Sequence, residues 1–491
     1  MVPEAVPRAT GRRAARCFTL SAMASTPTTI VWFRRDLRVA DHPALTWAAS
    51  RGDVVCLWIL DPDLLSRRHH QSVHRRRFLR AGLDALDEAL RGLGVPLVVR
   101  RGPPHRVLEE VVEEVAADAV TWSDEHSPYG RRRDDRVREV LAGADVHVEV
   151  KSSGLLVEPE DLPGSSGNGY RVFTPFSKVW VETPVPAHEP APRRLSGPEI
   201  PGEDLDPLGD GEPLLDAGPD AARAAIVEFI RGGSADAYDE ARDALAEDAT
   251  SRLGPYLRFG MCTTAQVGRA LGLPGDLSPG RRAFWRQLCW REFSHHHLAR
   301  NPEVARRAFQ PQLADVEWDN DPDMVAAWTE GRTGYPVIDA GMRQLRQSGW
   351  MHNRARMICA SFLVKDLLVD WRIGERVFMQ HLLDGDPANN NGGWQWTAGT
   401  GTDAAPYFRV FNPTRQAQRF DPEGGYVRRW VPELAGVPDR YIHEPWKMND
   451  DQQQEAGCVV GTDYPAPIVD HLEQRGVALE RYRAAADAHT G

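Results

Sequence analysis

Asn353, Arg356 and Met357 carry an amide, a guanidinium and a thioether at spacings of three and four residues. On a helix such residues share one face. Residues 360–371 contain no Gly or Pro, and their apolar positions recur at the helical period, which predicts a continuous helix through that run. A purely structural helix needs no mixed polar face of this kind. Just downstream, HLLDGDPANNNGGWQW (381–396) places the carboxylates Asp384 and Asp386 and the amides Asn389, Asn390 and Asn391 between helix and tryptophans. Together these groups read as the wall of a buried polar cofactor site.

Two further stretches offer chemistry. Gln287, Trp290 and Arg291 stand at i, i+3 and i+4, again one helix face. TSRLGPYLRFG (250–260) combines hydroxyls, a guanidinium and a helix start, the parts of an anion site, although a plain Ser/Thr helix cap uses the same residues. His295, His296 and His297 invite a metal reading, but consecutive helical positions diverge by about 100° and cannot converge on one ion. DGDPANNNGGWQ has the outline of a calcium loop, yet Ala388 and Gln395 stand where a ligand and the bidentate Glu belong. No metal site is expected.

The elements that must position these groups fall into two regions. Strand-like runs at 28–33, 53–60, 95–99, 117–122 and 145–150 alternate with amphipathic stretches such as 75–91 and 104–116. Continuous apolar strands separated by helices predict a doubly wound parallel sheet. The first strand is followed by FRRDLR (33–38) and not by a G-x-G-x-x-G fingerprint, at the turn where open sheets bind ligands. Residues 151 to about 215 are rich in Pro, Gly and Ser, with one aromatic island, YRVFTPFSKVW. Beyond residue 220 strand patterns nearly vanish. The expected organisation is a disordered extension over 1–27, an α/β domain over 28–157, a linker over 158–219 and an all-helical domain over 220–491.

Composition sets bounds. A chain of 491 residues with 42% hydrophobic and 26% charged residues can bury cores in two or three globular domains. The net charge of −11 argues against nucleic acid, but it hides segregation. Residues 281–309 hold seven Arg against two Glu, and 340–372 hold six Arg or Lys against two Asp, the local basic surface that phosphate contact needs. Six scattered cysteines without a C-x-x-C pair fit reduced thiols in a cytoplasm. No apolar run reaches the ~20 residues of a membrane span, and residues 1–27 lack the apolar core of a signal peptide. Strand-like sequence begins at Thr28, which makes Met23 the expected biological start.

At these motifs the chain resembles the photolyase/cryptochrome family, in detail its class I cyclobutane pyrimidine dimer photolyases. Matching segments run from Ile30 to the YPAP element at 464–467. The resemblance implies FAD held by Tyr238, Thr250, Ser251, Arg252, Leu253, Phe284, Gln287, Arg291, Asn353, Arg356, Asp384, Asp386 and Asn390. Gly254 stands in that set where the family pattern carries Ser. Asn390 matches the residue facing flavin N5, where an amide is the photolyase choice and cryptochromes carry Asp or Cys. Trp290 and Trp396 match the walls of a pocket for the flipped lesion, with Gln287 and Asn353 contacting it and Met357 beneath it. Arg242, Arg409 and Gln416 match DNA-facing positions. Trp318, Trp371 and Trp394 match an electron-transfer row, although any one tryptophan alone is better explained as core. WSDEHSPYGRRRD (122–134) is similar to the segment of members that bind 8-hydroxy-5-deazaflavin as an antenna. The Asn-Glu pair of methenyltetrahydrofolate binders is replaced by Tyr129 and Gly130. Arg35, Asp61 and Glu125 are the implied antenna contacts.

The expected function is therefore light-driven repair of cyclobutane pyrimidine dimers in DNA, by a monomeric cytoplasmic enzyme with FAD and a second chromophore. Gln287 departs from the Glu usual in dimer-repair enzymes. It keeps a cryptochrome-like photoreceptor and repair of (6-4) photoproducts as alternatives.

Overall fold

A computed structural model describes Met1 and residues 26–66, 72–152, 154–164, 167, 169–403, 406 and 409–490. The expected extension over 1–27 lies almost wholly outside these described residues. Five strands, β1 (Thr28–Phe33), β2 (Asp53–Leu60), β3 (Leu97–Arg101), β4 (Ala119–Ser123) and β5 (His147–Lys151), pair in the order β3-β2-β1-β4-β5, every pair parallel. β1 is buried along its whole length, as a strand covered on both faces must be. The doubly wound sheet is the expected one.

The last three strands start two residues later than the apolar pattern predicts, for one shared reason. Val95, Ala117 and Val146 donate their N–H groups back to Leu90, Val112 and Leu141, closing the ends of the preceding helices. Each follows a residue at positive φ, Gly94, Ala116 or Asp145, as helix-terminating motifs require. The apolar side chains at these sites finish helices before they can begin strands.

The order of the strands reverses beside β1, and FRRDLR occupies that switch point. Asp36 is buried there, accepting from Arg34 N (2.7 Å) and Ser123 Oγ (2.6 Å) with His42 at 3.1 Å. Burial opposes its charge, but His42 and these donors hold the carboxyl well below the usual range. The rest of the turn grips the helical region: Leu37 N donates to Phe259 O (3.1 Å) and Arg38 Nη1 to Gly260 O (2.9 Å). Gly260, at φ +62°, is obligatory, since a Cβ would stand 2.0 Å from the Arg35 carbonyl oxygen.

Residues 158–219, expected as a linker, are bound along most of their path. Leu195 N donates to Leu93 O and Glu203 N to Val99 O, laying the segment along the edge of the sheet region. A helix, Phe173–Glu182, rises from the aromatic island, and its Trp180 indole donates to the buried Glu292 carboxylate (2.7 Å). One hydrophobic core runs from Val31 and Phe33 through Phe176 and Trp180 to Phe284 and Leu288, joining sheet region, linker and helical region.

From Pro219 onward the regular elements among the described residues are all helical, apart from one isolated bridge, Val460 with Tyr464. The continuous helix expected through 360–371 is not found. Helix Asn353–Ser361 passes into a π-helical turn, Phe362–Asp366, and Leu368 then takes φ +50°. Asp370 caps a new helix, Trp371–His381, accepting from Arg372 N at 2.9 Å. The apolar period does not separate an α from a π turn, and Asp370 is as strong a start signal as the period is a continuation signal.

Candidate functional site

Four segments close around a cavity of about 670 Å³, a size that holds whole ligands. Helix Pro279–Arg300, started by Ser278 ahead of Pro279, contributes Gln287, Trp290 and Arg291 to one wall. Helix Asn353–Ser361 contributes Asn353, Arg356 and Met357, so the mixed face read from spacing does point one way. Asn353 Nδ2 lies 3.7 Å from Met357 Sδ. Helix Pro387–Ala398 supplies Asn390, Trp394 and Trp396. Tyr238, Arg242, Thr250 and Gly254 complete the rim and floor. Burial pushes the Tyr238 phenol up to about 12, so it is neutral and able to donate.

The two carboxylates, expected as equivalent flavin contacts, have different roles. Asp386 is spent within the protein. Its Oδ1 caps helix Pro387–Ala398 by accepting from Ala388 N and Asn389 N, both at 3.0 Å, and its Oδ2 accepts from Arg35 of the sheet region. Burial works against this charge, and His295, Arg35, Arg258 and Arg291 together more than offset it, holding the carboxyl far below its ordinary value. Asp384 Oδ2 accepts from Arg356 Nη2 at 2.9 Å, while its buried Oδ1 has no protein partner. Asp384 is thus the acid with an oxygen to offer.

The phosphate segment divides in the same way. Thr250 lines the cavity with a buried, unpartnered hydroxyl. Arg252, expected beside it, takes φ +49° and turns to Asp248 (3.0 Å) and the Trp350 ring (4.9 Å). Ser251 Oγ accepts from Leu253 N in its own turn, and Leu253 is core. Phe284 is core too, edge-on behind Tyr238 with centroids 5.2 Å apart. None of these four side chains lines the cavity. Gly254 does, and a Cβ there would sit 2.7 Å from Asp384 Oδ2. The family's serine therefore needs Asp384 displaced.

Asn390 Nδ2 donates to Glu375 O (3.0 Å), which fixes the amide and leaves Oδ1 as its accepting end. Asn391 Nδ2 donates to Glu375 Oε1 at 3.1 Å. Burial pushes the Glu375 carboxyl up to about 7.

The three tryptophans share one hydrophobic cluster. Trp394 lines the cavity and is 2% exposed, Trp371 is 1% exposed, and Trp318 is half-buried at the edge of the same cluster. Trp394 lies against Gly374, where a Cβ would be 2.1 Å from its ring; Gly374 is one turn after Trp371. Bonds from Asp319 N to Leu368 O (2.8 Å) and from Asp370 N to Asn320 Oδ1 (2.9 Å) tie the Trp318 segment to the start of the Trp371 helix.

Arg409 is exposed beside Phe411 and Gln416 sits on helix Pro413–Phe420, both outside the cavity lining. The three histidines diverge as helical geometry requires, His295 to Asp386 (3.4 Å), His296 to Val157 O (2.9 Å) and His297 edge-on to Phe309.

A second cavity, about 860 Å³, opens at the carboxyl ends of β1, β2 and β4 and is lined by Arg35, Asp61 and Glu125. All three are engaged by the protein: Arg35 by Asp386, Asp61 by the Tyr129 hydroxyl, Glu125 by Arg133 (3.1 Å) and Ser127 Oγ (2.7 Å). Arg258 and Asn391 line both cavities. Arg258 escaped the sequence reading because it follows Tyr256 and Leu257 in a run that looks like plain core. Burial, helped by Arg35, brings its guanidinium down to about 9, and its buried Nη1 has no protein partner.

A parallel-sheet region locked to a helical region, with a ligand-sized cavity lined by amides, carboxylates, guanidinium groups and indoles, defines a protein built to hold a cofactor. Residues 29–193 match the family described as DNA photolyase, and residues 284–484 the FAD binding domain of DNA photolyase. A deoxyribodipyrimidine photo-lyase of Streptomyces griseus is 41% identical over 463 residues, 92% of this chain and 98% of that protein. The crystal structure of a bacterial class III photolyase from Agrobacterium tumefaciens is similar at 38% identity and TM-score 0.89, covering 96% of this chain and all of that one. An archaeal photolyase from Sulfolobus tokodaii, solved with two FAD molecules, is similar at 33% identity and TM-score 0.80, over 93% of this chain and 100% of that one. The chain belongs to the DNA photolyase family. FAD fits the first cavity, since Thr250 Oγ1, Asp384 Oδ1 and Arg258 Nη1 are buried polar atoms at its wall with no protein partner.

Proposed function

We propose that this chain is a light-driven DNA repair enzyme that splits cyclobutane pyrimidine dimers, with FAD in the first cavity. The carrying observation is the union, in one cavity, of Asn390 with a fixed amide, a leftover Asp384 oxygen and the aromatic walls Trp290 and Trp396. Reduced FAD, held there by Thr250, Arg258, Asp384 and Asn390, would supply light-driven one-electron chemistry of the kind that dimer splitting needs.

The side chains orient and insulate. Asn390 Oδ1 accepts a hydrogen bond from an N–H such as N5 of a reduced flavin carries. Arg356 holds Asp384, and the pair, with Thr250 and Arg258, supplies donors and acceptors for the polar parts of the cofactor. Trp290 and Trp396 receive two linked neighbouring bases of one strand that have left the duplex; a dimer, already poorly stacked, makes that exit cheaper. Gln287 offers donor and acceptor to base edges, and Met357 a soft apolar surface beneath them. Trp318, Trp371 and Trp394 would offer oxidisable indoles between the surface and a bound flavin. No nucleophile is required, because the cofactor carries the chemistry.

Arg242 on the rim and Arg409 outside it meet phosphates, giving salt-dependent affinity of little sequence preference. No helix of the described residues is long and apolar enough to cross a membrane. The five described cysteines are buried and unpaired, which supports a reducing cytoplasm. The protein acts as a monomer, and the second cavity takes an antenna. Tyr129 and Gly130 in place of the folate pair support 8-hydroxy-5-deazaflavin over methenyltetrahydrofolate.

The test is direct. Reduced protein is mixed with oligonucleotides carrying a cyclobutane dimer or a (6-4) photoproduct, illuminated with blue light, and scored for restored bases. Restoration of the dimer alone is expected. Restoration of the (6-4) lesion, or of neither, would move the assignment to (6-4) repair or to photoreception.

A further inference from the structure

Trp290 does not stand alone at the cavity. Its ring is stacked face to face on Phe173, with centroids 3.5 Å apart and planes 6° from parallel. Phe293 meets both rings edge-on, at 5.7 Å from each. Phe173 belongs to the linker, as first residue of helix Phe173–Glu182, and is 1% exposed. Its backbone is fastened to the cavity's far rim. Phe173 N donates to Asp403 Oδ2 at 3.1 Å, and Thr402 Oγ1 donates to the Arg171 carbonyl. Thr402 itself lines the cavity. On the other side, the exposed guanidinium of Arg286, one turn before Trp290, lies 5.1 Å from the Phe173 ring centroid.

These contacts have a consequence for recognition. A tryptophan on a helix face keeps rotamer freedom unless something packs against it. Phe173 lies flat on one face of the indole, which leaves the opposite face for a base, and the indole plane cannot tilt without breaking that stack. We propose that Phe173 is a positioning residue for lesion recognition, acting through Trp290: the linker sets the plane and depth of the wall against which the damaged bases stack. The ligand class is a pair of covalently joined pyrimidines, whose combined thickness needs a wall at a fixed distance, whereas a single base tolerates a wall that moves. Arg286 places phosphate contact at the same stack, coupling backbone docking to base capture. This inference rests on reading the cavity as the lesion site.

The experiment is a double-mutant cycle on full-length, FAD-loaded protein, with Phe173→Ala, Trp290→Ala, the double variant and Phe173→Tyr. Affinity is measured for an oligonucleotide with one thymine dimer and for its undamaged counterpart. Phe173→Ala is expected to lower the preference for the dimer roughly five- to tenfold, within the range of lost base–aromatic stacking, and to leave affinity for undamaged DNA unchanged. In the Trp290→Ala background the same change is expected to add nothing, and Phe173→Tyr in the otherwise wild-type chain is expected to keep the wild-type preference. Photoreduction of the flavin, which depends on Trp318, Trp371 and Trp394, is expected to stay at the wild-type rate in Phe173→Ala. Additive losses in the double variant, or an equal loss on both oligonucleotides, would overturn the role. If Phe173→Ala fails to fold, Phe173→Leu replaces it in the cycle under the same criteria. A wild-type chain indifferent to the dimer would overturn the reading of the cavity itself. A discriminating wild type with an equally discriminating Phe173→Ala variant would overturn this inference alone.

Discussion

Arg35 and Asp386, separated by 351 residues in sequence, form a part-buried ion pair that fastens the first turn of the sheet to the first turn of the cavity-lining helix Pro387–Ala398. Through it, one carboxylate caps helix Pro387–Ala398, orients Asn389 and balances Arg258 and Arg291. Substituting Asp386→Asn leaves those cations buried without their counter-charge. A loss of about 3–5 kcal/mol is expected, the cost of removing one partner of a buried pair, together with loss of FAD on gel filtration. Urea unfolding at pH 7 checks it; wild-type stability would contradict the assignment.

The same carboxylate makes stability acid-sensitive. Its folded pKa lies below the unfolded value near 3.8, so its contribution is complete above about pH 4 and is lost as pH falls through the folded pKa. Asp386→Asn is expected to flatten the unfolding free energy below about pH 4 relative to wild type.

Glu375 carries the opposite sign. Burial raises its carboxyl from 4.5 to about 7, so the folded state holds a proton that the unfolded state releases. Its contribution is present below pH 4.5 and is lost as pH rises to about 7. Glu375→Gln is expected to remove that slope and to gain stability at pH 8, on the order of 1–3 kcal/mol. Unfolding curves at pH 5 and pH 8 decide it: an unchanged slope would show that Glu375 is ionised in the folded protein.

Trp371 is the middle member of the electron-transfer row proposed above. Trp371→Phe is expected to slow photoreduction of oxidised flavin at least tenfold while pre-reduced protein repairs dimers at the wild-type rate, since aromatic packing is retained and only the oxidisable ring is lost. Equal loss in both assays would assign Trp371 to the core.

Arg409 is exposed and outside the cavity lining. Arg409→Gln is expected to weaken damaged and undamaged DNA alike and to reduce the slope of log K against log salt by about one. Selective weakening of the damaged strand would place Arg409 in lesion contact.

Much of the site is legible as pattern. The spacing of Asn353, Arg356 and Met357, and of Gln287, Trp290 and Arg291, correctly predicts which side chains share a wall, because helical geometry is local. The sheet is legible from its buried apolar runs, with errors of two residues where Val95, Ala117 and Val146 close helices and of one or two at the ends of the same strands. Local pattern is silent on Arg252, which leaves the cavity for Asp248 and Trp350, and on Phe173, whose partner is 117 positions away.

Fold class, helix faces and the family follow from the order of residue types along the chain, since propensity, period and capping act over a few residues. Which polar atoms remain for a ligand does not follow from that order. Asp384 keeps an oxygen free and Asp386 does not because Arg35 arrives from the opposite end of the chain. Electrostatic and packing energies depend on distance and burial in space, and those exist only once the two regions have closed on each other.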